Sequence, residues 1–140
     1  MNAALRILLL EPDPGDLLLM QEALARHPAV EVAPFHKAAG VLNALHDPGT
    51  ALPHLIVMEP HLPQESGIDL IRTIKNDPRL KTIPVIAMST VDDVEEVALS
   101  YSLGVSSYVL KPSTYKDFEA RLDAMLNFWQ FAGRHLPVAQ

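Results

Sequence analysis

The chain has 140 residues, of which 49% are hydrophobic and 20% charged, a length and composition typical of one globular domain. The formal net charge of −6, without any cluster of Lys or Arg, argues against binding to the phosphate backbone of nucleic acid. Cysteine is absent, which excludes disulfides and thiolate metal sites; with neither a secretory leader nor an apolar run of roughly 20 residues, we expect a cytoplasmic protein that does not enter the membrane.

Four short apolar runs, with a weaker fifth at Val30–Phe35, predict the strands of a parallel sheet. The four runs are apolar on successive residues, without polar alternation, as expected for strands that helices cover on both faces. The intervening segments carry apolar residues at helical spacing. Strict alternation of strand and helix predicts an open, doubly wound α/β fold with five parallel strands. In chain order we predict strands at Leu5–Leu10, Val30–Phe35, Leu55–Met58, 84–88 and Ser107–Leu110, and helices at 16–25, 38–45, 68–74, 94–101 and from about 114 past 131.

Functional residues are expected where the strands end. Ligands of open α/β sheets bind outside the carboxyl ends of the strands. Four segments follow strands on this basis: residues 11–13, residues 59–61, Ser89 with Thr90, and Lys111 with Pro112. Several of these positions carry ionisable groups, so we expect them to form one polar site.

Four longer segments around these positions carry a resemblance to a known family. They are the acid-bearing turn at 10–16, residues 58–63 with the following Gly67, residues 84–90 and residues 104–112. In this order and at these strand ends, the chain resembles a receiver domain of bacterial two-component signalling, especially the small stand-alone receivers that accompany bacterial phytochromes. The resemblance implies the flavodoxin-like (βα)5 fold, with a receiver domain over residues 1–127 and an aromatic C-terminal extension over residues 128–140.

The same resemblance implies a phosphorylation site. In the family, two adjacent acids hold Mg²⁺, an Asp accepts the phosphoryl group, and a Ser/Thr hydroxyl and a Lys before Pro then bind it. Ser89, Tyr108, Lys111 and Pro112 fall on the family positions for the hydroxyl, the switch aromatic ring, the ammonium and the proline. These residues are therefore the predicted switch and phosphate-binding positions.

Two family positions carry the wrong residue for this chemistry. Glu59 stands at the phosphoacceptor position, where its extra methylene moves the carboxylate by roughly 1.5 Å, and a misplacement of about 1 Å can cost a hundredfold in rate. Pro12 replaces the second metal-binding acid and leaves Glu11, Pro12 and Asp13 as a remnant acidic pocket. We therefore expect no metal site, with Mg²⁺ binding weak or absent.

Several residues have two interpretations. Asp13 either replaces the lost acid or, as we favour, caps a helix that begins at Pro14. Glu11 is either part of the site or an exposed strand-end carboxylate. Lys111 is expected to form a partly exposed ion pair with Glu59, worth about 0 to 1 kcal/mol. Two further residues stay open in the same way, since Ser89 is either a switch residue or a turn cap and Tyr108 is either half-buried or part of a partner surface. His54 and His61 are interpreted as solvated loop residues.

The C-terminal extension predicts an interface. Three aromatic residues lie in a short segment, and if water covered them the large favourable free energy of burying their rings would be lost. In the receivers that the chain resembles, such a segment followed by Leu-Pro joins two subunits, and a tail folded onto its own domain is the alternative. The expected dimer interface comprises Phe128, Trp129, Phe131, Leu136 and Pro137.

The resulting hypothesis is a dimeric pseudo-receiver that is not an enzyme and acts by contact with proteins, including a sensor histidine kinase or bacteriophytochrome. One alternative is a working phosphoacceptor that uses Mg²⁺ with Glu59 or Asp13. A small nucleotide-binding α/β enzyme is disfavoured, because the first strand-helix turn lacks a Gly-rich phosphate loop. No helix-turn-helix segment follows for DNA binding.

Overall fold

The computed structural model describes residues 4–132 and contains a five-stranded parallel sheet. The sheet strands, labelled in chain order, are β1 (Leu5–Leu10), β2 (Val30–Phe35), β3 (Leu55–Met58), β6 (Val85–Ser89) and β7 (Ser107–Leu110). Their order in the sheet is β2-β1-β3-β6-β7, and every neighbouring pair is parallel. This architecture confirms the predicted doubly wound α/β fold.

Five α-helices connect and cover the strands. They are α1 (Pro14–Ala25), α2 (Ala38–His46), α3 (Gly67–Asn76), α4 (Val94–Leu103) and α5 (Tyr115–Asn127). Two-residue strands β4 (His61–Leu62) and β5 (Glu65–Ser66) form a small antiparallel hairpin after β3, which the hydrophobic pattern did not predict. None of the helices within residues 4–132 has both the length and the apolar character needed to cross a bilayer.

Alternating strand residues build two apolar clusters on opposite faces of the sheet. Leu8 and Met58 belong to the cluster beneath α2 and α3, whereas Leu9 and Val57 belong to the cluster beneath α1 and α5. The central strand β3 is therefore buried on both faces, as its unbroken apolar run predicts. Rigid strands with buried sides fix the positions of the residues that follow their carboxyl ends.

The end of the chain differs from the predicted single long helix. After Asn127 the backbone continues as a π-helical turn over Phe128–Ala132. This change of helical period lets Trp129 pack against the apolar cluster under α5 and lets Gln130 donate to the carbonyl of Pro28 at 2.7 Å.

Candidate functional site

The predicted polar site forms around the ammonium group of Lys111, which follows β7. Lys111 Nζ lies 2.5 Å from Glu11 Oε1, 3.2 Å from Asp16 Oδ2 and 3.3 Å from Glu59 Oε1. The side chains of Lys111, Glu11 and Glu59 are 4%, 3% and 8% exposed. One buried cation therefore faces two buried carboxylates and a third at the surface.

The backbone explains why these side chains converge. Each residue directly follows a strand and continues its ladder: the N–H of Glu11 donates to Phe35 O, that of Glu59 to Leu10 O, and that of Lys111 to Ser89 O. Because β1, β3 and β7 are parallel members of one sheet, their ends meet at one edge. The predicted pair of Lys111 and Glu59 is present, but its expected partial exposure is wrong.

Burial and neighbouring charges shift the pKa values of Glu11 and Lys111. Burial raises the pKa of Glu11 above 4.5, although the hydrogen bonds from Lys111 and from the Asp13 N–H act in the opposite direction. Burial alone would lower the pKa of Lys111, but the hydrogen bond and charge of Glu11, with the charge of Glu59, outweigh it and raise the pKa above 10.5. Lys111 is therefore a cation throughout the neutral range. Glu11 is not the exposed strand-end carboxylate that one interpretation expected.

The oxygen atoms that a divalent cation needs are already engaged. Glu11 Oε1 and Glu59 Oε1 face Lys111, whereas Glu11 Oε2 accepts the N–H of Asp13 at 3.0 Å and Glu59 Oε2 accepts the N–H of His61 at 3.0 Å. Pro12 supplies no carboxylate. Mg²⁺ requires an octahedral set of oxygen ligands and gives up water reluctantly. With these oxygen atoms engaged and a proline at position 12, the residues present do not match the magnesium site that the receiver resemblance implies. Within residues 4–132 no group of three or more His, Asp or Glu side chains is arranged to hold a metal ion.

Asp13 is a helix cap in the structure. Its side chain accepts the N–H of Asp16 at 2.8 Å, and Pro14 occupies the first turn of α1. The exposed carboxylate is thus directed at the positive end of the helix dipole. The helix begins at Pro14, as the favoured capping interpretation predicted, two residues before the apolar pattern of 16–25.

His61 lies in the predicted site segment 59–61, but the sequence reasoning gave its side chain no role there. Its Nδ1 lies 3.2 Å from Ser89 Oγ and 3.4 Å from Glu59 Oε2, and its Nε2 lies 2.5 Å from Glu96 Oε1. The interpretation of a solvated loop histidine is wrong, although 38% of the side chain stays exposed. The same interpretation is wrong for His54, whose Nδ1 accepts the N–H of Arg6 at 3.0 Å.

Ser89 and Tyr108 both bind the segment between β6 and α4. Ser89 is buried, and its hydroxyl oxygen accepts the N–H of Val91 at 3.1 Å, so it caps this turn. Tyr108 is half-buried, and its hydroxyl donates to Val91 O at 2.8 Å. Burial raises the pKa of Tyr108, and the charges of Glu96 and Glu59 add to this effect. Lys111 is followed by the half-buried Pro112.

The mouth of the site is a shallow depression of about 460 Å³. It lies between the β1-α1 and β3-α3 connections. Half of its lining residues are prolines, which have no backbone N–H to offer to an incoming anion. The lining residues are Pro12, Asp13, Pro14, His61, Leu62 and Pro63.

The C-terminal aromatic residues divide into two kinds. Phe128 is 54% exposed, whereas Trp129 is partly buried against the domain's own core. Their rings meet edge to face with centroids 5.4 Å apart. Trp129 thus packs partly against its own domain, as the alternative of a folded-back tail expected, and the part it has in a dimer interface stays a prediction. The side chain of Phe131, and Leu136 and Pro137, lie outside the part of the chain that the structure describes.

Comparison of the sequence and the fold with known proteins shows the family of the chain. The model of the response regulator receiver domain matches residues 7–123. Response regulator Rcp1 of Synechocystis sp. is 30% identical over 128 residues, covering 88% of this chain and 87% of Rcp1. Two solved structures have the same fold at 28% identity. The phosphorylated cyanobacterial phytochrome response regulator RcpA has a TM-score of 0.91, covering 96% of this chain and 100% of RcpA, and the Mn²⁺-bound form of Rcp1 has a TM-score of 0.88, covering 94% and 99%. The chain belongs to the response regulator receiver domain family of two-component signalling.

Proposed function

We propose that this receiver is a phosphorylation-independent protein-interaction module that uses no divalent cation and catalyses no reaction. The observation that carries the proposal is the ammonium of Lys111, which neutralises Glu11 and Glu59 from within the chain. A metal ion entering the pocket has to displace this ammonium without gaining a carboxylate from Pro12. The loss of a buried ion pair makes that exchange unfavourable.

The position of Glu59 also opposes phosphoryl transfer. A nucleophilic carboxylate oxygen has to reach the phosphorus in line with the leaving group, and a shift of about 1 Å already slows such a reaction strongly. The two oxygens of Glu59 instead contact Lys111 and the backbone of His61. These contacts support a role for Glu59 as a permanent negative charge.

Incubation with acetyl phosphate and Mg²⁺, followed by intact mass measurement, tests the proposal. We expect no gain in mass under conditions in which a receiver with the family's Asp and paired acids is modified. A gain of one phosphoryl group that requires Mg²⁺ would establish the second candidate, a phosphoacceptor that uses Glu59 or Asp13. The retained Ser89 and Lys111, and the Mn²⁺-bound structure of Rcp1, favour that candidate.

The partners we propose are a sensor histidine kinase or a bacteriophytochrome, in the cytoplasm, with no nucleic acid or membrane involved. Support comes from the likeness to RcpA, which is a phytochrome response regulator. The negative charge of the chain supports protein contact over nucleic acid. Binding assays with a kinase core, with and without ATP, should give the same affinity if phosphorylation has no part in recognition.

We also propose a homodimer that uses the C-terminal extension. Phe128 supports it, since an aromatic ring 54% exposed beside Met125 and Val109 lines an apolar groove of about 380 Å³. Light scattering should give a lower mass for Phe128→Glu than for the unmodified chain. Leu18→Glu is the matched control, because Leu18 is 58% exposed on α1. Equal masses for all three proteins would contradict the dimer.

A further inference from the structure

His61 joins three elements that are distant in sequence. The ring follows β3 and contacts Glu59 at the end of that strand, Ser89 at the end of β6, and Glu96 in the first turn of α4. Ser89 and Glu59 are buried, and the Glu96 side chain is 20% exposed. The contacts therefore run from the floor of the acidic pocket to the start of a surface helix.

Both chemical forms of the imidazole can bind Glu96 and Ser89, whereas a hydrogen bond to Glu59 requires a proton on Nδ1. The neutral Nε2–H form donates to Glu96 and accepts the Ser89 hydroxyl hydrogen at Nδ1. The protonated form donates from both nitrogens, to Glu96 and to Ser89 or Glu59. Charged acceptors make such hydrogen bonds short and strong, and the 2.5 Å separation of His61 Nε2 and Glu96 Oε1 is of this kind.

The segment that leads into α4 is held by two further bonds. Val91 donates its N–H to Ser89 Oγ and accepts the Tyr108 hydroxyl at its carbonyl. Ser89 Oγ thus contacts both His61 and Val91. The family resemblance implies a hydroxyl and an aromatic ring that respond to a phosphoryl group, whereas here Ser89 contacts the His61 ring and the Val91 N–H, and the Tyr108 hydroxyl donates to the Val91 carbonyl.

We propose that His61 is a positioning residue that latches the start of α4 to the Glu59 pocket and so fixes the α4 surface without a phosphoryl group. The latch consists of His61, Glu59, Ser89 and Glu96. This inference rests on the proposed function, because a latch that holds permanently has value only where phosphorylation does not reposition α4.

Amide hydrogen exchange by NMR on the full chain tests the latch. The reporter amides are those of Val91, which donates to Ser89 Oγ, and Val97, which donates to Asp93 O. His61→Ala should accelerate their exchange about tenfold, the factor expected when one charge-assisted hydrogen bond of a locally opening segment is lost. Amides of Met20, Ala23 and Leu24 in α1, which are buried in the apolar cluster on the opposite face of the sheet, should exchange at unchanged rates.

Glu96→Gln tests the same contact from the helix side and does not disturb the pocket. It should accelerate the same amides, because the amide group lacks the charge of the carboxylate. Glu95→Gln is the matched control, since the neighbouring Glu95 is an exposed acid in the same first turn. Equal exchange in Glu95→Gln, Glu96→Gln and His61→Ala overturns the latch.

A double substitution separates coupling from simple loss of structure. Glu59→Gln should accelerate exchange at Val97 when His61 is present and leave it unchanged in the His61→Ala background. A full Glu59→Gln effect in both backgrounds shows that the pocket does not reach α4 through His61, and overturns the inference. Failure of the proposed function is a different observation, namely an Mg²⁺-dependent gain of one phosphoryl group by the unmodified chain.

Discussion

Lys111 Nζ and Glu11 Oε1 lie 2.5 Å apart at the carboxyl ends of the two strands β7 and β1, with side chains 4% and 3% exposed. The pair is separated by 100 residues of sequence. It places a buried positive charge between the carboxylates of Glu11 and Glu59. This relationship makes the lysine a structural element of the pocket.

Removal of the ammonium should therefore destabilise the whole domain. Lys111→Met leaves Glu11 and Glu59 buried next to each other without a counter-charge. We expect a loss of about 3 kcal/mol or more in the free energy of unfolding, as for other buried pairs that lose one partner. Urea denaturation measures it. Lys116→Met is the control, because Lys116 is exposed on α5 and should change little. A similar small change in both variants would show that the pocket does not depend on its cation.

The ionisation of Glu11 gives a second test, with a definite sign. Burial raises its pKa above 4.5, Lys111 opposes this rise, and the charge of Glu59 adds to it. Because the folded state holds this proton more tightly than the unfolded state, charged Glu11 costs stability above its folded pKa, and the cost is relieved as the pH falls through that value. Carbon NMR of the Glu11 carboxyl should show the raised pKa in the unmodified chain.

Two substitutions should move that pKa in opposite directions. Lys111→Met should raise it further because the hydrogen bond is lost, whereas Glu59→Gln should lower it because a neighbouring charge is removed. Lys111 itself has a raised pKa, so its contribution to stability is complete below pH 10.5 and is lost only as the pH rises through the folded value. Shifts of equal sign in both variants would contradict the charge arrangement described for this pocket.

Gly67, the first residue of α3, packs so closely against the site that a larger side chain should not fit there. A Cβ at this position would overlap the carbonyl of Pro60, the residue between Glu59 and His61. Gly67→Ala should thus force a backbone shift and lower the free energy of unfolding by about 1 to 3 kcal/mol. At Gly49, by contrast, an added Cβ has ordinary contact with Asp47 Oδ1 at 3.5 Å. Thermal denaturation measures this change, with Gly49→Ala as the control. An equally small loss of stability at both glycines would refute the predicted clash.

The fold followed closely from the sequence because its signals are local. Four of the five sheet strands have the predicted bounds, and β6 is shifted by one residue, because apolar residues make up most of each strand. The β4-β5 hairpin has strands of only two residues and a turn with positive φ at Gln64, so it has no periodic signal to detect. The π-helical turn at Phe128–Ala132 is likewise invisible to a pattern based on α-helical spacing.

The site was predictable only where it follows strand ends. Glu11, Glu59, Ser89 and Lys111 lie there, and their convergence follows from parallel topology. The contacts of His61 were not predicted, because its partners Ser89 and Glu96 lie 28 or more residues away in the sequence and no local pattern links them to it. The burial of Lys111 depends on packing of three elements, which the sequence does not encode in any local pattern.

Restoration of the two altered family positions is the most direct test of why this receiver differs. Pro12→Asp with Glu59→Asp returns a second acid and shortens the acceptor carboxylate, so two carboxylates next to Glu11 can offer oxygen ligands to a cation. We expect this double variant to bind Mn²⁺ or Mg²⁺ detectably by calorimetry and to gain one phosphoryl group from acetyl phosphate, and we expect the unmodified chain to do neither.

Pro12→Asn with Glu59→Asp is the matched control for that experiment. It removes the same proline and shortens the same acid but adds no negative charge, so it should bind the cation far more weakly. The comparison assigns the gain to the restored carboxylate and not to a loosened β1-α1 turn. Equal cation binding by the control, or by the unmodified chain, would mean that Lys111 yields its place to a metal ion readily, contrary to the buried contact of its ammonium with Glu11.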